Sequence, residues 1–200
     1  MRVLSGVFVF VLLCGSQALA QEPSFGVKGG VNLATLSSDE DPGPEFKYRI
    51  GVIAGGFFTW PIGSRLDLQP EALFSQQGAS FDVTGFDSVT IKLDSLVAPI
   101  LVRYKLRSSG GGPVLFGGPS LGFNLSAKAV SKSSGRTTTD DIGDDIESFD
   151  YGVVFGAGWE AGRFTIDGRY TWGLSGIGKD EDDPEKVTHR VIGILAGIRF

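Results

Sequence analysis

Apolar and polar residues alternate along eight separate segments of the chain, and alternation with a period of two is the sequence signal of a β-strand. In the first segment Phe25, Val27, Val31 and Leu33 share one face, and Lys28 lies on the other. No amphipathic helical pattern stands out. The predicted strands are Phe25–Leu33, Tyr48–Trp60, Arg65–Gln76, Ser95–Leu106, Val114–Ser126, Asp150–Glu160, Arg163–Gly173 and His189–Phe200.

The connections between these strands alternate between short and long. The short, turn-like ones are Pro61–Ser64, Arg107–Pro113 and Ala161–Gly162. The long ones, polar and mostly acidic, are Leu36–Lys47, Gly78–Asp94, Ala127–Phe149 and Leu174–Thr188. The order predicts an all-β fold, a single eight-stranded antiparallel up-and-down transmembrane β-barrel with both chain ends on the short-turn side.

Two features favour a barrel in a membrane over a soluble barrel, whose apolar face would point inward. The polar face is rich in glycine, which weakens a water-exposed strand but suits a narrow lumen. Aromatic residues also cluster at both ends of the apolar face, where a barrel meets the two membrane interfaces. The predicted belt at the short-turn ends is Phe25, Trp60, Tyr104, Trp159, Phe164 and Phe200.

The charged residues of the strands lie opposite the apolar face, so the pattern places them in the lumen. An eight-stranded barrel has an interior just wide enough for side chains to fill, so we do not expect an open pore. Buried charges must pair, and we therefore predict a structural ion-pair network. Its predicted members are Lys28, Arg49, Asp67, Glu71, Arg103, Glu160, Asp167, Arg169 and Arg199.

The first twenty residues have the features of a secretory signal peptide. Arg2 precedes the apolar run Val7–Leu13, and Ala18–Ala20 has small residues at both ends, so cleavage is expected before Gln21. The apolar run is too short for a membrane-spanning helix. Cys14 suggests a lipoprotein signal, but the large Leu13 precedes it. The predicted domains are a signal peptide, 1–20, and a barrel, 21–200.

Three prolines fall inside predicted strands: Pro70, Pro99 and Pro119. Proline removes a hydrogen-bond donor from the ladder and favours sheet edges or bulges, whereas a closed barrel has no edge. We therefore expect local bulges or missing ladder bonds at these positions.

Composition narrows the functional classes. The 200 residues suit one domain, and the net charge of −5 argues against nucleic acid as a partner. One cysteine and one histidine exclude a disulfide scaffold and Cys/His zinc sites. No phosphate-binding loop or cofactor motif occurs, so neither a cofactor nor a bound metal is expected.

Two groups of residues offer weaker chemical possibilities. Ser175 and His189 both lie near the ends of strands that lead into long connections. With an acidic residue they would form the Ser/His/acid catalytic triad of a lipid-modifying hydrolase or acyltransferase. The simpler interpretation is a rim histidine in contact with water or lipid headgroups. The run Asp140–Asp145 is rich in carboxylates but lacks the spacing of an EF-hand, so we expect a solvated loop.

Five stretches resemble the PorT-like outer-membrane β-barrel family of Gram-negative bacteria: Gly26–Leu33, Leu66–Leu73, Phe116–Gly122, Arg169–Leu174 and Gly197–Phe200. The resemblance implies a location in the cell outer membrane and, for some relatives, an accessory role in protein export. The aromatic last residue on an alternating strand also resembles the outer-membrane assembly signal, here Phe200 with Ile198.

The function expected from these observations is non-enzymatic. The barrel would anchor the protein, keep its lumen plugged and present four acidic loops outside the cell in a structural or interaction role. The expected partners are outer-membrane lipid and lipopolysaccharide, the assembly machinery and an external or envelope protein. Accessory protein export and the lipid-modifying enzyme remain as alternatives.

Overall fold

The computed structural model describes residues 22–37, 47–81, 88–108, 111–133, 136–143, 148–175 and 188–200, most of which lie in nine β-strands. The predicted signal peptide, most of the first and last long connections, and residues 144–147 lie outside this part of the chain. The strands are β1 Ser24–Ser37, β2 Lys47–Pro61, β3 Leu66–Phe81, β4 Ser88–Lys105, β5 Gly112–Ser133, β6 Arg136–Asp141, β7 Phe149–Ala161, β8 Phe164–Gly173 and β9 Thr188–Arg199.

Eight of these strands form a closed antiparallel ring. The order is β4-β3-β2-β1-β9-β8-β7-β5, and a further pairing of β4 with β5 completes the circle. Within the ring each strand pairs with the next ring strand along the chain, β5 being followed by β7, and β1 pairs with β9 to join the two ends of the barrel. The predicted eight-stranded up-and-down barrel is confirmed. No helix among the described residues is long and apolar enough to span a membrane.

The apolar faces of the strands point away from the lumen. Val27, Ile50 and Val102 are among the large hydrophobic residues left exposed on the outer surface, whereas residues on the opposite face are largely buried. A soluble protein rarely exposes a continuous apolar surface of this kind. The side-chain distribution therefore suits a barrel whose solvent is hydrocarbon.

Four strands run further than the hydrophobic pattern predicted, and the first of them, β1, continues to Ser37 instead of ending at Leu33. The connections predicted at Gly78–Asp94 and Ala127–Phe149 are partly strand, because β3 ends at Phe81, β4 begins at Ser88 and β5 continues to Ser133. The additional strand β6 pairs only with the end of β5 and forms a hairpin beyond the ring. No apolar alternation is required where a strand leaves the membrane, which explains why the pattern missed these extensions.

A bulge separates the barrel part of β5 from this extension. Asp94 pairs with Ser126 and Ser95 with Asn124, so Leu125 is the extra residue on β5. One extra residue shifts the alternation of the strand by one position, so beyond the bulge the opposite set of positions faces outward. Accordingly Leu125 is exposed, and Ala127, two residues further on, is buried.

Each of the three strand prolines lies at an interruption of one of its two ladders, and the register on either side of the interruption is unchanged. Pairing stops opposite Pro70 between β2 and β3, opposite Pro99 between β3 and β4, and opposite Pro119 between β4 and β5. The missing N–H thus costs local pairing without a register shift. Of the two outcomes expected at these prolines, bulges or missing ladder bonds, the structure shows missing ladder bonds.

Candidate functional site

The centre of the lumen holds a cluster of four charged residues contributed by strands on different sides of the ring. Lys28 Nζ donates to Glu71 Oε1 at 2.9 Å and to Asp167 Oδ2 at 3.0 Å. Arg169 Nη1 donates to Glu71 Oε2 at 2.7 Å, and its Nε donates to Asp167 Oδ1 at 3.0 Å. Glu71 lies on β3 and Arg169 on β8, four places apart in the ring of eight, so their ion pair spans the lumen.

A second charged cluster lies nearer the short turns. Lys105 Nζ donates to Asp67 Oδ1 at 2.9 Å, and Arg103 Nη2 donates to Glu160 Oε1 at 2.7 Å. Arg199 Nη1 approaches the same Glu160 oxygen to 3.3 Å. All five residues point inward, and only Arg199 is appreciably open to solvent. Every cation of this cluster therefore has a carboxylate partner.

Two phenyl rings in the lumen lie between glycines and cations. The Phe57 ring lies over Gly26, where an added Cβ would come within 2.4 Å of the ring, and Lys28 Nζ is 4.8 Å from the ring centroid. On another part of the wall, Phe116 covers Gly156 in the same way, and the Arg169 guanidinium lies 5.6 Å from its centroid. These glycines leave room for the rings, and the rings in turn face the cations.

Apolar residues also fill the lumen, where the sequence pattern predicted charged residues and glycine. Ile53, Leu73 and Leu195 form one buried cluster, and Leu101, Phe116 and Val154 form another. Each lies on the inward face of its strand between outward apolar residues. Strict application of the period of two would have found them, because their positions alternate with the outward-facing apolar residues of the same strands.

The remaining predicted network residue, Arg49, is held apart from the two ion-pair clusters. Its Nη1 donates to the main-chain oxygen of Gln77, and it interacts electrostatically with Asp94. All three residues lie toward the long-connection end of the barrel. The structure therefore brings eight of the nine predicted network residues into ion pairs and leaves Arg49 at the outer end.

His189 is buried, which corrects the prediction of a rim histidine in contact with water or headgroups. It points into the barrel beside Gly173, where an added Cβ would lie 2.5 Å from Nδ1, and it interacts electrostatically with Asp150. Ser175 Oγ accepts a hydrogen bond from the main-chain N of Tyr151 at 3.1 Å. No hydrogen bond joins Ser175 to His189, both of which the structure describes.

The acidic run that begins at Asp140 is described only as far as Gly143. Asp141 Oδ1 accepts a hydrogen bond from the Gly143 main-chain N at 3.0 Å. Asp144 and Asp145 lie outside the described residues. Within the described ranges no group of three or more His, Cys, Asp or Glu side chains is arranged to hold a metal ion.

The six aromatic residues predicted as a belt are all exposed on the outer surface at the short-turn ends of their strands. Phe25 and Phe200 also contact each other across the β1–β9 junction, with ring centroids 5.4 Å apart. The Phe200 main-chain N donates to the oxygen of Phe25 at 2.7 Å, which ties the last residue to the first strand. Ile198 faces the same side and pairs with Val27.

A closed barrel with apolar side chains outside and paired charges inside defines the class of small outer-membrane β-barrel proteins. The chain belongs to the family described as outer membrane protein beta-barrel domain, whose model matches residues 17–178. It is therefore an outer-membrane protein, as the strand pattern predicted. The match identifies the broad family and not its PorT-like branch. A search of curated proteins found no significant match.

Solved outer-membrane barrels share the fold at low sequence identity. Ail, the attachment invasion locus protein of Yersinia pestis, in complex with the heparin analogue sucrose octasulfate, is 15% identical over 90% of this chain and 100% of that chain, with a TM-score of 0.55. OprG from Pseudomonas aeruginosa is 14% identical over 94% and 98%, with a TM-score of 0.54. Neisserial surface protein A is 16% identical over 90% and 100%, with a TM-score of 0.52.

Proposed function

We propose that this protein is a non-enzymatic outer-membrane anchor with a plugged lumen, which presents acidic loops outside the cell for contact with a partner. The observation that carries the proposal is the pair of ion-pair clusters in the lumen. Lys28, Glu71, Asp167 and Arg169 meet near the axis and leave each other few free polar positions. Together with the buried apolar clusters, they favour a rigid support over a transport path.

A plugged lumen predicts no steady ion conductance. Purified protein inserted in a planar lipid bilayer should give no stable single-channel steps, because charged side chains paired across an eight-stranded barrel leave no continuous water column. Refolded protein that migrates as a compact band on unheated electrophoresis gels provides the control for correct insertion. Reproducible steps of one size would contradict the plugged lumen.

The proposed interaction surface lies on the long-connection side. Each of the four long connections contains more acidic than basic residues. The structure of Ail was solved with a sulfated heparin analogue, but acidic loops would repel a ligand of that charge. We therefore propose a partner that presents cationic side chains, and protein partners meet this requirement.

The β5–β6 hairpin offers the best position to test for such a partner. All six residues of β6 are exposed, and Thr138 lies at its centre. A photo-crosslinking residue at Thr138 in living cells should yield a discrete protein adduct. The same photo-crosslinking residue in place of Ile194, which is exposed on the outer surface of β9, serves as the control. An adduct from Ile194 alone, or none from either site in correctly inserted barrels, would contradict an interaction role for the hairpin.

Several finer assignments rest on the sequence pattern. We propose that residues 1–20 are a cleaved signal peptide and that residues 21–200 form the barrel domain. Ile198 and Phe200 would serve as the signal for the assembly machinery, and the aromatic residues at the short-turn ends would contact lipid headgroups. Lipid and lipopolysaccharide would surround the outer face. N-terminal sequencing of the protein from outer membranes tests the cleavage before Gln21.

We also propose that the protein belongs to the PorT-like branch, on the strength of its five matching stretches, the longest being Gly26–Leu33 and Leu66–Leu73. A role in protein export would follow, and deletion of the gene would remove specific secreted proteins. A lipid-modifying enzyme receives no support from the geometry. Ser175 is engaged by a main-chain N–H, and His189 faces the barrel interior.

A further inference from the structure

A cavity opens at the short-turn end of the barrel, on the side opposite the long connections. It has a volume of about 520 Å³, which lies in the range of small-ligand sites. The turns and strand ends of β4–β5 and β7–β8 line it, together with the last residues of β9 and the residues around Ser24. None of the functions proposed above makes use of this cavity.

Cationic side chains outnumber acidic ones in the cavity wall. Lys105, Arg107, Arg163 and Arg199 line it, against the carboxylates of Glu22 and Glu160.

Two of these cations are free to bind a ligand. Lys105 is paired with Asp67, and Arg199 with Glu160. Arg107 and Arg163 are exposed, and neither forms an ion pair with any residue that the structure describes. A guanidinium group presents a fork of donors that matches a carboxylate or phosphate. The cavity thus holds two guanidinium groups that have no ion-pair partner among the described residues, beside two cations that are already paired with carboxylates.

The sequence of the short turns shows the same bias. By the strand bounds of the structure the turns are residues 62–65, 106–111 and 162–163, and each carries one arginine and no acidic residue: Arg65, Arg107 and Arg163. Arg65 differs from the other two because it does not line the cavity, and its Nη1 lies 3.4 Å from the Tyr104 hydroxyl on the outer surface. The three arginines therefore share a membrane side, but only two of them share the cavity.

We propose that this cavity binds a soluble ligand that carries two or more carboxylate or phosphate groups and enters from the periplasmic side. Lys105, Val114 and Glu160 point toward the lumen, so the cavity lies inside the rim of the barrel. A lipid headgroup would have to bend over that rim, whereas a dissolved anion enters directly. Arg107 and Arg163 would each bind one anionic group, and the Ser24 and Ser108 hydroxyls would supply further donors.

Calorimetric titration of the protein in phosphatidylcholine nanodiscs with citrate and with pyrophosphate, at constant ionic strength, tests the proposal. We expect saturable binding of at least one of them at one site per barrel. The double variant Arg107→Gln/Arg163→Gln should bind at least about tenfold more weakly, because two charge-assisted contacts are lost. Arg65→Gln is the matched control, and its affinity should stay within about twofold of the wild type.

A second variant leaves every cation in place. Ser108→Glu adds a carboxylate to the cavity wall at an exposed turn position, and it should weaken binding about as much as the double variant. Compact migration on unheated gels verifies that each variant is folded. Nanodiscs that contain phosphatidylglycerol distinguish a lipid headgroup from a dissolved ligand, because a headgroup in the cavity would suppress the binding signal of whichever of the two anions binds.

Three results would overturn the proposal: no saturable binding by the wild type, an equal loss of affinity in Arg65→Gln, or suppression by phosphatidylglycerol. The second would indicate diffuse surface charge, and the third a lipid site. None of them depends on the outer loops or on lumen conductance, so the proposal can fail while the proposed function stands.

Discussion

At the scale of single residues, the lumen depends on Glu71. Its two carboxylate oxygens receive Lys28 and Arg169, and Gln69 Nε2 donates to the same group at 2.7 Å. Such a carboxylate stabilises the fold mainly because its removal would leave buried cations without compensation. The sequence placed Glu71 on the inner face, but it did not indicate which cations it would contact.

Replacing Glu71 with glutamine should lower the free energy of unfolding by about 3–5 kcal/mol, the usual cost of removing one member of a buried ion pair. Lys28 and Arg169 would then share only Asp167. Urea unfolding of the refolded protein in detergent micelles measures the change. Glu22→Gln, an exposed carboxylate at the barrel mouth, is the control and should change stability by less than about 0.5 kcal/mol. Equal stabilities of the two variants would contradict a structural role for the cluster.

At the scale of the strands, alternation identified all eight barrel elements. It did not show where strands continue outside the membrane, because the apolar signal ends there while pairing continues. It also did not show how closely neighbouring strands approach. At Gly30 on β1, an added Cβ would lie 1.9 Å from the main-chain oxygen of Ile194 on β9. The glycine-rich inner face therefore serves close backbone approach as well as space for large side chains.

Gly30→Ala should destabilise the barrel by about 1–3 kcal/mol, the typical cost of overpacking, because the opposing atoms belong to main chain that cannot rotate away. Gly168→Ala is the matched control in β8, since a Cβ there would meet nothing within 4 Å. It should be neutral or stabilising by up to about 1 kcal/mol, because alanine loses less backbone freedom on folding than glycine. Urea midpoints under identical micelle conditions give the comparison, and a Gly168→Ala loss as large as that of Gly30→Ala would refute it.

At the scale of the whole molecule, the usual distribution of residues is inverted. The continuous apolar surface faces outward, and most buried polar side chains face the lumen. In hydrocarbon main-chain N–H and C=O groups need partners, and the closed ring, with β1 paired to β9 and β4 paired to β5, leaves no free sheet edge. The inversion also explains why the tryptophans lie on the outside.

All three tryptophans, Trp60, Trp159 and Trp172, are exposed on the outer face of the barrel. Brominated phospholipids should therefore quench most of the fluorescence of the protein in vesicles, whereas aqueous iodide should quench little of it. The same protein unfolded in urea provides the reference for full iodide access. Strong iodide quenching with weak bromolipid quenching would place this face in water and contradict a lipid-facing surface.

The sequence by itself determined the number of barrel strands, their up-and-down order and which face meets lipid. These properties follow from local periodicity and turn chemistry, which each segment carries independently of the others. Only the tertiary structure decided that Glu71 meets Arg169 across the lumen, that His189 is buried, and that Arg107 and Arg163 share a cavity. Such contacts join residues far apart in the chain, and their distances depend on the register and closure of the whole ring.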